Sequence, residues 1–462
     1  MYELDYDAKM PLYEQLYLRI KEAVECGKLL PDEKLPSKRA LSKILKISQI
    51  TVENAYEQLK AEGYIYSIEK RGYFVQAISP RYSPLPVSKE VPALPEDAGA
   101  EKIRYDLRGE RTDIENFPFS VWSKLTRQVL SEQRQTLLQR TPNRGIEELR
   151  REIAIYLEKY RGIRTGSKNI IIGAGTEYML GLLSQLLPSA KFAFENPGYK
   201  KAARVLSANG ADVCFVPMDE HAINIEKLEK SSANVVYATP AHHFPLGTVM
   251  PIKRRNELLS IMQKKENGFI IEDDYNSEFR FSGRPIPTLY GIDSADRVIY
   301  LGTFTQSLCP SLRISYMILP DELNNRYESE LSFYSSTVPS FEQYTLLKFI
   351  QGGYFERHLN RMRNIYKSRR EELISSLKSS DFGSEITVLG NNAGLSLLIK
   401  FEGRSEDELV KSALQNGVCI SGLSRYYSNG VKPPESTVIL GYSALQKGDM
   451  ENVVNLLRKS WK

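Results

Sequence analysis

A turn between an apolar run and a helical pattern is the first stretch suited to holding a charged ligand. Residues 173–180 read Gly-Ala-Gly-Thr-Glu-Tyr-Met-Leu and follow the apolar residues 169–172. Backbone amides are unpaired at a helix start, and the helix dipole favours an anion there. The stretch is therefore a candidate phosphate-binding turn, whereas Glu177 would oppose a phosphate if it pointed inward. Taken alone, the stretch is an ordinary strand-to-helix turn.

Two adjacent histidines, His242 and His243, raise the question of a metal site, because imidazole nitrogens are common zinc ligands. No third His, Cys or Glu ligand stands at metal-ligand spacing in the sequence, so we expect no metal. The cysteines are scattered without CxxC spacing, which argues against a zinc site or a disulfide framework. They are Cys26, Cys214, Cys309 and Cys419.

The elements that must position these residues follow from hydrophobic patterning. From residue 104 onward, helical periodicity alternates with short apolar runs at residues 169–172, 191–194, 234–238, 268–271, 297–301 and 314–319. This alternation predicts an α/β fold with a largely parallel sheet. Ligands of such folds collect at the loops that follow the carboxyl ends of the strands, and the candidate turn follows one of these runs.

The N-terminal residues 1–75 have a different pattern. Apolar residues at helical spacing predict a helix over residues 11–26, and Ser37 and Ser48 are placed as N-caps of two further short helices. Two short helices on a tight joint are typical of a helix-turn-helix, whose second helix enters the major groove of DNA. Residues 64–75 alternate as a hairpin whose tip can reach phosphate or the minor groove. The candidate DNA-binding residues are Ser37, Lys38, Arg39, Ser48, Gln49, Thr51, Lys70, Arg71 and Gly72.

Composition and charge exclude some classes of protein. The 462 residues are 42% hydrophobic and 26% charged, as in ordinary globular proteins with more than one domain. The net charge is +5, and residues 1–75 hold 12 Lys and Arg against 12 Asp and Glu. Any DNA contact must therefore come from the placement of charges, not from bulk charge. The acidic N-terminus lacks an apolar segment and no run reaches membrane-spanning length, so we expect a cytoplasmic protein.

A proline-rich stretch separates the two patterns. Residues 76–103 have no helical or strand period and carry Pro80, Pro84, Pro86, Pro92 and Pro95. We interpret them as a semi-rigid extended linker. The expected domains are residues 1–75, a large domain at 104–330 whose N-terminal part is a candidate contributor to the small domain, and the small domain at 331–462.

Residues 300–316 closely resemble the cofactor-anchoring segment of fold-type I pyridoxal phosphate (PLP) proteins, in the form found in the MocR/GabR regulators. In that family a Gly-Thr-Phe-Ser-Lys-Thr-Leu run carries the lysine that holds PLP as a Schiff base. Here residues 302–308 read Gly-Thr-Phe-Thr-Gln-Ser-Leu, so the lysine position holds Gln306. A primary amide is a poor nucleophile and cannot form the imine. The resemblance therefore implies an aminotransferase-like body without a catalytic residue.

The same resemblance implies a partly retained cofactor site. The sequences Glu-Asn-Pro-Gly-Tyr at 195–199, Thr-Pro-Ala-His-His-Phe-Pro-Leu-Gly at 239–247 and Ile-Ile-Glu-Asp-Asp-Tyr at 270–275 match family segments. By this resemblance Tyr199 stacks on the pyridine, Asp273 faces the ring nitrogen and Tyr275 faces the phenolic oxygen. The phosphate would be held by Gly175, Thr176, Thr303 and Arg313.

The N-terminal module resembles the winged helix of the GntR family. Residues 35–39, 48–52 and 70–75 match its three signature segments in order and spacing. One departure is Gln49, where the family usually has arginine directly after the recognition-helix serine. Glutamine can pair bidentately with adenine, whereas arginine favours guanine or phosphate. The alternative is a winged helix used only for protein contacts.

Three further departures weaken an enzymatic interpretation. Glu177 stands where a neutral glutamine is usual, and Lys201 stands where GABA-sensing relatives have an arginine for the effector carboxylate. Our alignment puts Ile439 at the position of the arginine that clamps a substrate carboxylate, and an aliphatic side chain cannot replace it. The basic stretch 354–370 is interpreted as a solvated, salt-bridged helix face in preference to a second DNA contact.

Together these features predict a winged helix-turn-helix joined to a fold-type I PLP-transferase-like body. The resemblance implies a homodimeric transcription regulator that binds a double-stranded DNA operator and senses a small-molecule effector, with PLP bound weakly and non-covalently or lost. One alternative is a PLP-dependent aminotransferase with a DNA-binding appendage, which would need a lysine such as Lys200, Lys201 or Lys253. Another is a repressor whose body only dimerises. The effector, the operator and the direction of regulation stay open.

Overall fold

The computed structural model of the chain describes residues 4–8, 10–77, 103–109, 113, 115–220, 222–281, 283, 286–390, 393–428, 430–446 and 448–461. The chain forms two compact units, Met1–Gly99 and Ala100–Lys462. Each has its own hydrophobic core. Within the predicted linker 76–103, residues 78–102 lie outside the described residues.

The first unit combines three helices with a hairpin. Its elements are α1 (Leu12–Glu25), α2 (Lys38–Leu45), α3 (Gln49–Ala61), β1 (Ile65–Ile68) and β2 (Gly72–Val75). Leu16 and Ile20 of α1 are fully buried in one core with Val52 and Tyr56 of α3. Helix α1 starts directly after Pro11, whose fixed φ suits a helix start. The predicted helices and hairpin of this unit are confirmed.

The joint between α2 and α3 is short and capped on both sides. The Ser37 hydroxyl accepts a hydrogen bond from the Ala40 amide (3.2 Å), and the Ser48 hydroxyl accepts one from the Thr51 amide (3.1 Å). Lys46 ends α2 in the left-handed region with φ of 51°. The two predicted N-caps are therefore confirmed, and the caps fix where the second helix begins.

The larger unit begins with β3 (Tyr105–Asp106) and is organised around a seven-stranded sheet of order β4-β10-β9-β8-β7-β5-β6. Strands β5 to β9 are parallel to one another, and β10 lies antiparallel between β4 and β9. The largely parallel sheet predicted from the sequence is thereby confirmed. The strands are β4 (Ile170–Gly173), β5 (Lys191–Asn196), β6 (Asp212–Pro217), β7 (Val235–Ala238), β8 (Phe269–Asp274), β9 (Val298–Thr303) and β10 (Ser315–Ile318).

Helices cover the sheet because its strands are apolar on both faces. Along β4, Ile170 and Ile172 belong to one buried cluster and Ile171 belongs to another, as the two-residue period of a strand requires. The helices of the whole larger unit, including those of its C-terminal part, are α4 (Phe119–Glu132), α5 (Arg134–Leu137), α6 (Glu147–Arg161), α7 (Thr176–Leu186), α8 (Lys200–Ala208), α9 (Ile225–Lys230), α10 (Ile252–Lys264), α11 (Leu289–Ile292), α12 (Asp321–Arg326), α13 (Ser340–Gln351), α14 (Tyr354–Lys378), α15 (Glu406–Gln415) and α16 (Asp449–Ser460).

A second sheet forms in the C-terminal part of this unit, with the order β11-β12-β15-β14 and antiparallel pairing throughout. A separate parallel pair joins β13 to β3, so the start of the unit pairs with its C-terminal part. Among the described helices, none is both long and apolar enough to cross a membrane. The strands are β11 (Ile386–Leu389), β12 (Ser396–Phe401), β13 (Val418–Cys419), β14 (Ser421–Gly422) and β15 (Thr437–Gly441).

Candidate functional site

The start of α3 presents polar side chains to solvent. Gln49 is exposed at the first helical position, and Thr51 is half-buried, with its hydroxyl 2.8 Å from that of Ser48. Ile50 between them is 68% exposed, which is unusual because isoleucine is most often buried. Sequence reasoning did not select Ile50 as a site residue, although its position outside the apolar stripe of the helix was visible. This end of α3 therefore offers both hydrogen-bonding and apolar groups.

Lys38 and Arg39 are neighbours in the sequence but differ in their surroundings. The Lys38 ammonium lies 2.5 Å from Glu53 of α3 and 5.6 Å from the ring centroid of Tyr73 in β2. The hydrogen bond that Lys38 donates to Glu53 is the main cause that raises the pKa of Lys38. Arg39 is exposed. Lys38 thus connects α2 to α3 and to the hairpin, whereas Arg39 is accessible from solvent.

The hairpin tip supplies the remaining predicted DNA-binding residues. Lys70 and Arg71 are exposed, and Lys70 adopts a left-handed conformation with φ of 58°. Gly72 follows with φ of 112°, which L side chains rarely adopt, so the turn requires glycine there. Because Lys38 contacts Tyr73 one residue further on, the start of α2, helix α3 and the hairpin are joined.

In the larger unit, a cavity of about 320 Å³ opens at the carboxyl ends of the parallel strands. The turns that line it follow β4, β5, β7, β8 and β9, where ligands of α/β folds collect. All seven predicted cofactor-binding residues and the residue at the lysine position line this one cavity. They are Gly175, Thr176, Tyr199, Asp273, Tyr275, Thr303, Gln306 and Arg313.

One end of the cavity is cationic and lies at the start of α7. Gly175 caps this helix with φ of 96°, and a Cβ there would overlap the guanidinium of Arg313. Arg313 Nη2 also donates to the Ala174 carbonyl at 3.3 Å. Thr303 is fixed nearby on β9, because its hydroxyl accepts hydrogen bonds from Ser315 (2.8 Å) and from the Thr305 amide (3.1 Å). We call Gly175, Arg313 and the first turn of α7 the phosphate seat.

Glu177 points into this end and pairs with two cations. Its Oε2 lies 3.5 Å from Arg313 Nη2, and its Oε1 is bonded to the Lys201 ammonium. The hydrogen bond from Lys201 is the main cause that lowers the pKa of the Glu177 carboxyl. The inward orientation that the sequence left conditional is therefore the one observed, and the phosphate seat already contains a carboxylate.

The opposite end of the cavity is built on a desolvated carboxylate. Asp273, the fifth residue of β8, is only 7% exposed and accepts a hydrogen bond from the Tyr237 hydroxyl. Burial raises the pKa of the Asp273 carboxyl to about 7, although the bond from Tyr237 opposes the shift. Tyr237 on β7 was missed by sequence reasoning, since only strand pairing brings Ala238 beside Glu272 and Tyr237 near Asp273.

Asp274, the residue after Asp273, forms a buried ion pair that supports Asp273. Arg161 at the end of α6 donates from Nε to Asp274 Oδ2 at 2.8 Å, and the Tyr300 hydroxyl donates to the same oxygen at 2.6 Å. The side chains of Arg161 and Asp274 are 6% and 1% exposed. A charge pair this deep is stabilising only because both partners are present. It fixes the end of β8, and with it Asp273 and Tyr275.

Aromatic groups line the wall between the two ends, and imidazole groups lie behind them. Tyr199 is 39% exposed and packs edge-on against Phe244, at 6.3 Å between ring centroids. The Tyr275 hydroxyl lies 3.3 Å from His242 Nδ1. Burial lowers the pKa of His242 to about 4 and that of His243 to about 3, so both rings are neutral at physiological pH. Within the described ranges no group of three potential metal ligands occurs.

Gln306 is half-buried in the loop after β9, and this loop is held by a contact that the sequence did not predict. His358 of α14 lies with Nε2 2.9 Å from the Ser307 carbonyl oxygen. The basic helix α14 therefore supports the loop as well as forming surface pairs. Its Arg369 makes a buried ion pair with Asp113 at 2.8 Å, unlike the solvated face that we expected.

Other residues singled out from the sequence lie elsewhere. Ile439 is fully buried on β15 between Leu398 and Ser421 and packs in an apolar cluster that Phe244 also contacts. Of the three lysines considered, only Lys201 lines the cavity. Lys200 donates to the Tyr427 carbonyl, and Lys253 is exposed on α10.

Chemically, the cavity can hold a flat ring and a polar substituent. Asp273 and Tyr275 offer hydrogen-bonding groups to the ring, Tyr199 offers an aromatic face, and Arg313 offers a cation for an anionic substituent. Gln306 offers a carboxamide, which can donate and accept hydrogen bonds but cannot act as an amine nucleophile.

Comparison with protein families gives two matches. Residues 109–455 match the family model "Aminotransferase class I and II", and residues 12–75 match "Bacterial regulatory proteins, gntR family". Two relatives match over nearly their whole length. YdeL, an HTH-type transcriptional regulator of Bacillus subtilis (strain 168), is 39% identical over 98% of this chain and 97% of its own. The probable rhizopine catabolism regulatory protein MocR of Rhizobium meliloti is 32% identical over 100% and 96%.

A third relative is more distant, and solved structures resemble the larger unit. The pyridoxine biosynthesis transcriptional regulator PdxR of Corynebacterium glutamicum is 26% identical over 93% of this chain and 91% of its own. An archaeal alanine:glyoxylate aminotransferase superposes with a TM-score of 0.68 at 25% identity, over 77% of this chain and 90% of its own. The kynurenine aminotransferase of Pyrococcus horikoshii gives 0.66 at 23% identity, over 78% and 91%. These structures show the same fold as the body.

Proposed function

The chain belongs to the aminotransferase class I and II family and carries an N-terminal gntR-family domain, and from this premise we propose that it is a sequence-specific DNA-binding transcription regulator. The observation that carries the proposal is the match, over almost the whole chain, to proteins named as transcriptional regulators. A regulator of this kind acts on DNA in the cytoplasm.

We assign DNA contacts from exposure and position. Gln49 and Thr51 at the start of α3 are placed to meet base edges in the major groove, and the exposed Ile50 between them suits a thymine methyl group. Arg39, Lys70 and Arg71 would contact phosphates. The remaining assigned residues shape this surface through caps, a turn and an ion pair, and they are Ser37, Lys38, Ser48 and Gly72.

The body is proposed to hold PLP or a related pyridine reversibly. The fit is good at the ring end, where Asp273 is a desolvated carboxylate that a ring N–H would pair, and Gly175 leaves room for Arg313 at the other end. Tyr199 and Tyr275 would flank the ring, and Thr176, Thr303 and Arg313 would face the phosphate. When bound, PLP supplies an electron-withdrawing pyridine ring with an aldehyde. In this chain Gln306 leaves the cofactor without a covalent bond at the usual position.

No transamination is expected, because Gln306 provides no amine at the position where the enzymes have lysine. The alternative function, an aminotransferase with a DNA-binding appendage, is favoured by one observation: Lys201 lines the cavity. Its side chain is already paired with Glu177. Borohydride treatment with PLP followed by peptide mass analysis separates the two, since only the alternative predicts a pyridoxyl group on Lys201.

The body is further proposed to form a homodimer and to act as the effector-sensing domain. Among the exposed large apolar side chains of the body are Leu138 at 85% and Phe333 at 70%. They lie on segments that are joined by hydrogen bonds from Arg140 to Ser335 and from Asn143 to the Ser332 carbonyl. Exposed apolar groups on adjoining segments are typical of a protein–protein interface. A dimer would present two winged helices to an operator with two half-sites.

Selection of binding sequences from random duplex DNA by the full chain tests the proposal. We expect an enriched motif. Arg71→Ala should weaken binding to all sequences and reduce the slope of the logarithm of the binding constant against the logarithm of the salt concentration by about one. Gln49→Arg should instead change the preferred base. Arg151→Ala, which removes an exposed arginine of the body, is the control. Failure of the full chain to bind DNA at low salt would contradict the proposal.

A further inference from the structure

Glu177 is the second residue of α7, and its carboxylate lies among the cations that an anionic ligand would need. It is 3.5 Å from Arg313 Nη2 through one oxygen and is bonded to Lys201 through the other. Arg313, Lys201 and Glu177 all line the cavity. The three side chains are 46%, 59% and 42% exposed, so the phosphate seat is open to solvent.

The carboxylate resembles a ligand anion in both charge and place. Arg313 extends over Gly175 at the start of α7, where unpaired backbone amides also favour negative charge. Glu177 therefore satisfies from within the protein the groups that would otherwise attract a phosphate. The bond from Lys201 lowers the pKa of Glu177, which keeps it ionised at neutral pH.

A phosphate that approaches Arg313 must displace this carboxylate or lie beside it. Like charges at such separations repel, and displacement gives up two ion pairs. A ligand with a neutral hydroxymethyl group in place of the phosphate meets neither obstacle. The ring end does not change, because Asp273 and Tyr275 are held by β8 and its neighbours and not by α7.

We propose that Glu177 is a specificity-determining residue that occupies the phosphate seat, so that the cavity prefers an unphosphorylated pyridine to its phosphate ester. This inference rests on the proposed binding of a pyridine ring at the Asp273 end. The preferred ligand is then a pyridine with hydroxyl substituents and no anionic group, and a phosphate ester such as PLP binds less tightly.

The test uses two ligands that differ only in the phosphate, pyridoxine and pyridoxine 5′-phosphate. Neither has an aldehyde, so neither can react with surface lysines. Binding to the full chain is measured by isothermal titration calorimetry for the wild type, for Glu177→Gln and for Glu226→Gln. Glutamine keeps the shape of the side chain at position 177 and removes its charge. Glu226 is the matched control, because it also pairs with a lysine, Lys230, but does not line the cavity.

We expect the wild type to bind pyridoxine more tightly than pyridoxine 5′-phosphate. Glu177→Gln should tighten binding of the phosphate ester by about tenfold, the value of one charge-assisted contact regained, and should leave pyridoxine binding within about twofold. Glu226→Gln should change neither affinity. If the wild type binds no phosphate ester and Glu177→Gln does, the inference is equally supported.

Two outcomes overturn the inference by itself while the proposed ligand site stands. One is a wild type that prefers the phosphate ester, with the same preference in Glu177→Gln. The other is an equal change for both ligands in Glu177→Gln, which would mean a general effect on the cavity. Absence of binding for both ligands in all variants overturns the inference together with the proposed ligand site, and the DNA selection remains an independent test of the regulator.

Discussion

The two ends of the cavity hold their charges in different ways. At the ring end, Asp273 is 7% exposed and its neighbour Asp274 shares a buried ion pair with Arg161. At the phosphate seat, Glu177 and Arg313 form a pair whose side chains are 42% and 46% exposed. Water screens the second set and not the first.

This difference indicates which end the fold itself requires. A buried charge that loses its partner is costly, so the ring end can change only if several residues change together. An exposed pair contributes little to stability, so we expect single substitutions at the phosphate seat to leave the fold intact. We therefore expect the ring end to tolerate few single substitutions and the phosphate seat to tolerate them well.

The largest expected effect is at the buried pair. Arg161→Met would leave Asp274 charged and unpaired in the core, and we expect the free energy of unfolding to fall by about 3 to 5 kcal/mol. Urea denaturation at pH 7 measures it. Arg151→Met, which removes an exposed arginine paired with Glu147, is the control and should cost less than about 0.5 kcal/mol. Equal losses in the two variants would contradict the contrast between buried and exposed pairs.

The pH dependence of stability should report Asp273. Its pKa is about 7 in the folded protein against 3.8 for an unperturbed aspartate, so between these values the folded state binds the extra proton. Stability gained from this group is present at low pH and is lost as pH rises towards 7. Asp273→Asn should therefore reduce the loss of stability between pH 5 and pH 6 by about 1.4 kcal/mol relative to the wild type.

Other buried carboxylates set the background for this measurement. Glu195 and Glu272, which are buried, and Glu278, which is half-buried, also have pKa values of about 7, and they should give both proteins a common fall in stability over the same range. The Tyr237 hydroxyl can still donate to the carboxamide oxygen in Asp273→Asn. Superimposable pH profiles for the two proteins would show that Asp273 is ionised between pH 5 and pH 6. The contrast between a desolvated ring end and a solvent-screened phosphate seat would then not hold.

The smallest effect is expected at the phosphate seat. Glu177→Gln removes contacts between partly exposed side chains, so the free energy of unfolding should change by less than about 1 kcal/mol. Chemical denaturation of the ligand-free protein checks this value. A loss comparable with that of Arg161→Met would mean that the seat is a structural element and not an adjustable one.

Much of the architecture could be predicted because apolar runs and helix caps are local signals. Ser37 and Ser48 marked the helix starts of the first unit, and each of the six apolar runs overlaps a strand of the main sheet. The edge strand β6 was missed. It begins with the exposed Asp212 and buries fully only Val216, as an edge strand can, although its residues 213–216 form an apolar run that could have identified it.

Residues of the cavity were predictable only where a motif carried them. Tyr237 contacts Asp273 from 36 residues away in the sequence, and Arg161 contacts Asp274 from 113 residues away. His358 contacts the loop after Gln306 from 51 residues away. No periodicity encodes such contacts, because they depend on how strands and helices pack. The pairing of Glu177 with Lys201 and Arg313 likewise follows from the fold and not from the spacing of the residues.

The central claim is that the body keeps the cofactor cavity of an aminotransferase and has lost its covalent anchor at Gln306. Gln306→Lys tests it most directly. The variant is incubated with PLP, reduced with borohydride and analysed by peptide mass, beside the wild type and Gln76→Lys. Gln76 is an exposed glutamine of the first unit, so its lysine variant reports adventitious reaction with a surface lysine.

We expect a yellow Gln306→Lys protein with a pyridoxyl group on the lysine at position 306 in nearly every chain. The wild type and Gln76→Lys should carry no comparable label, because neither places an amine beside Asp273 and Tyr275. A Gln306→Lys protein that melts at the temperature of the wild type, yet stays colourless and unlabelled with excess PLP, would contradict the claim.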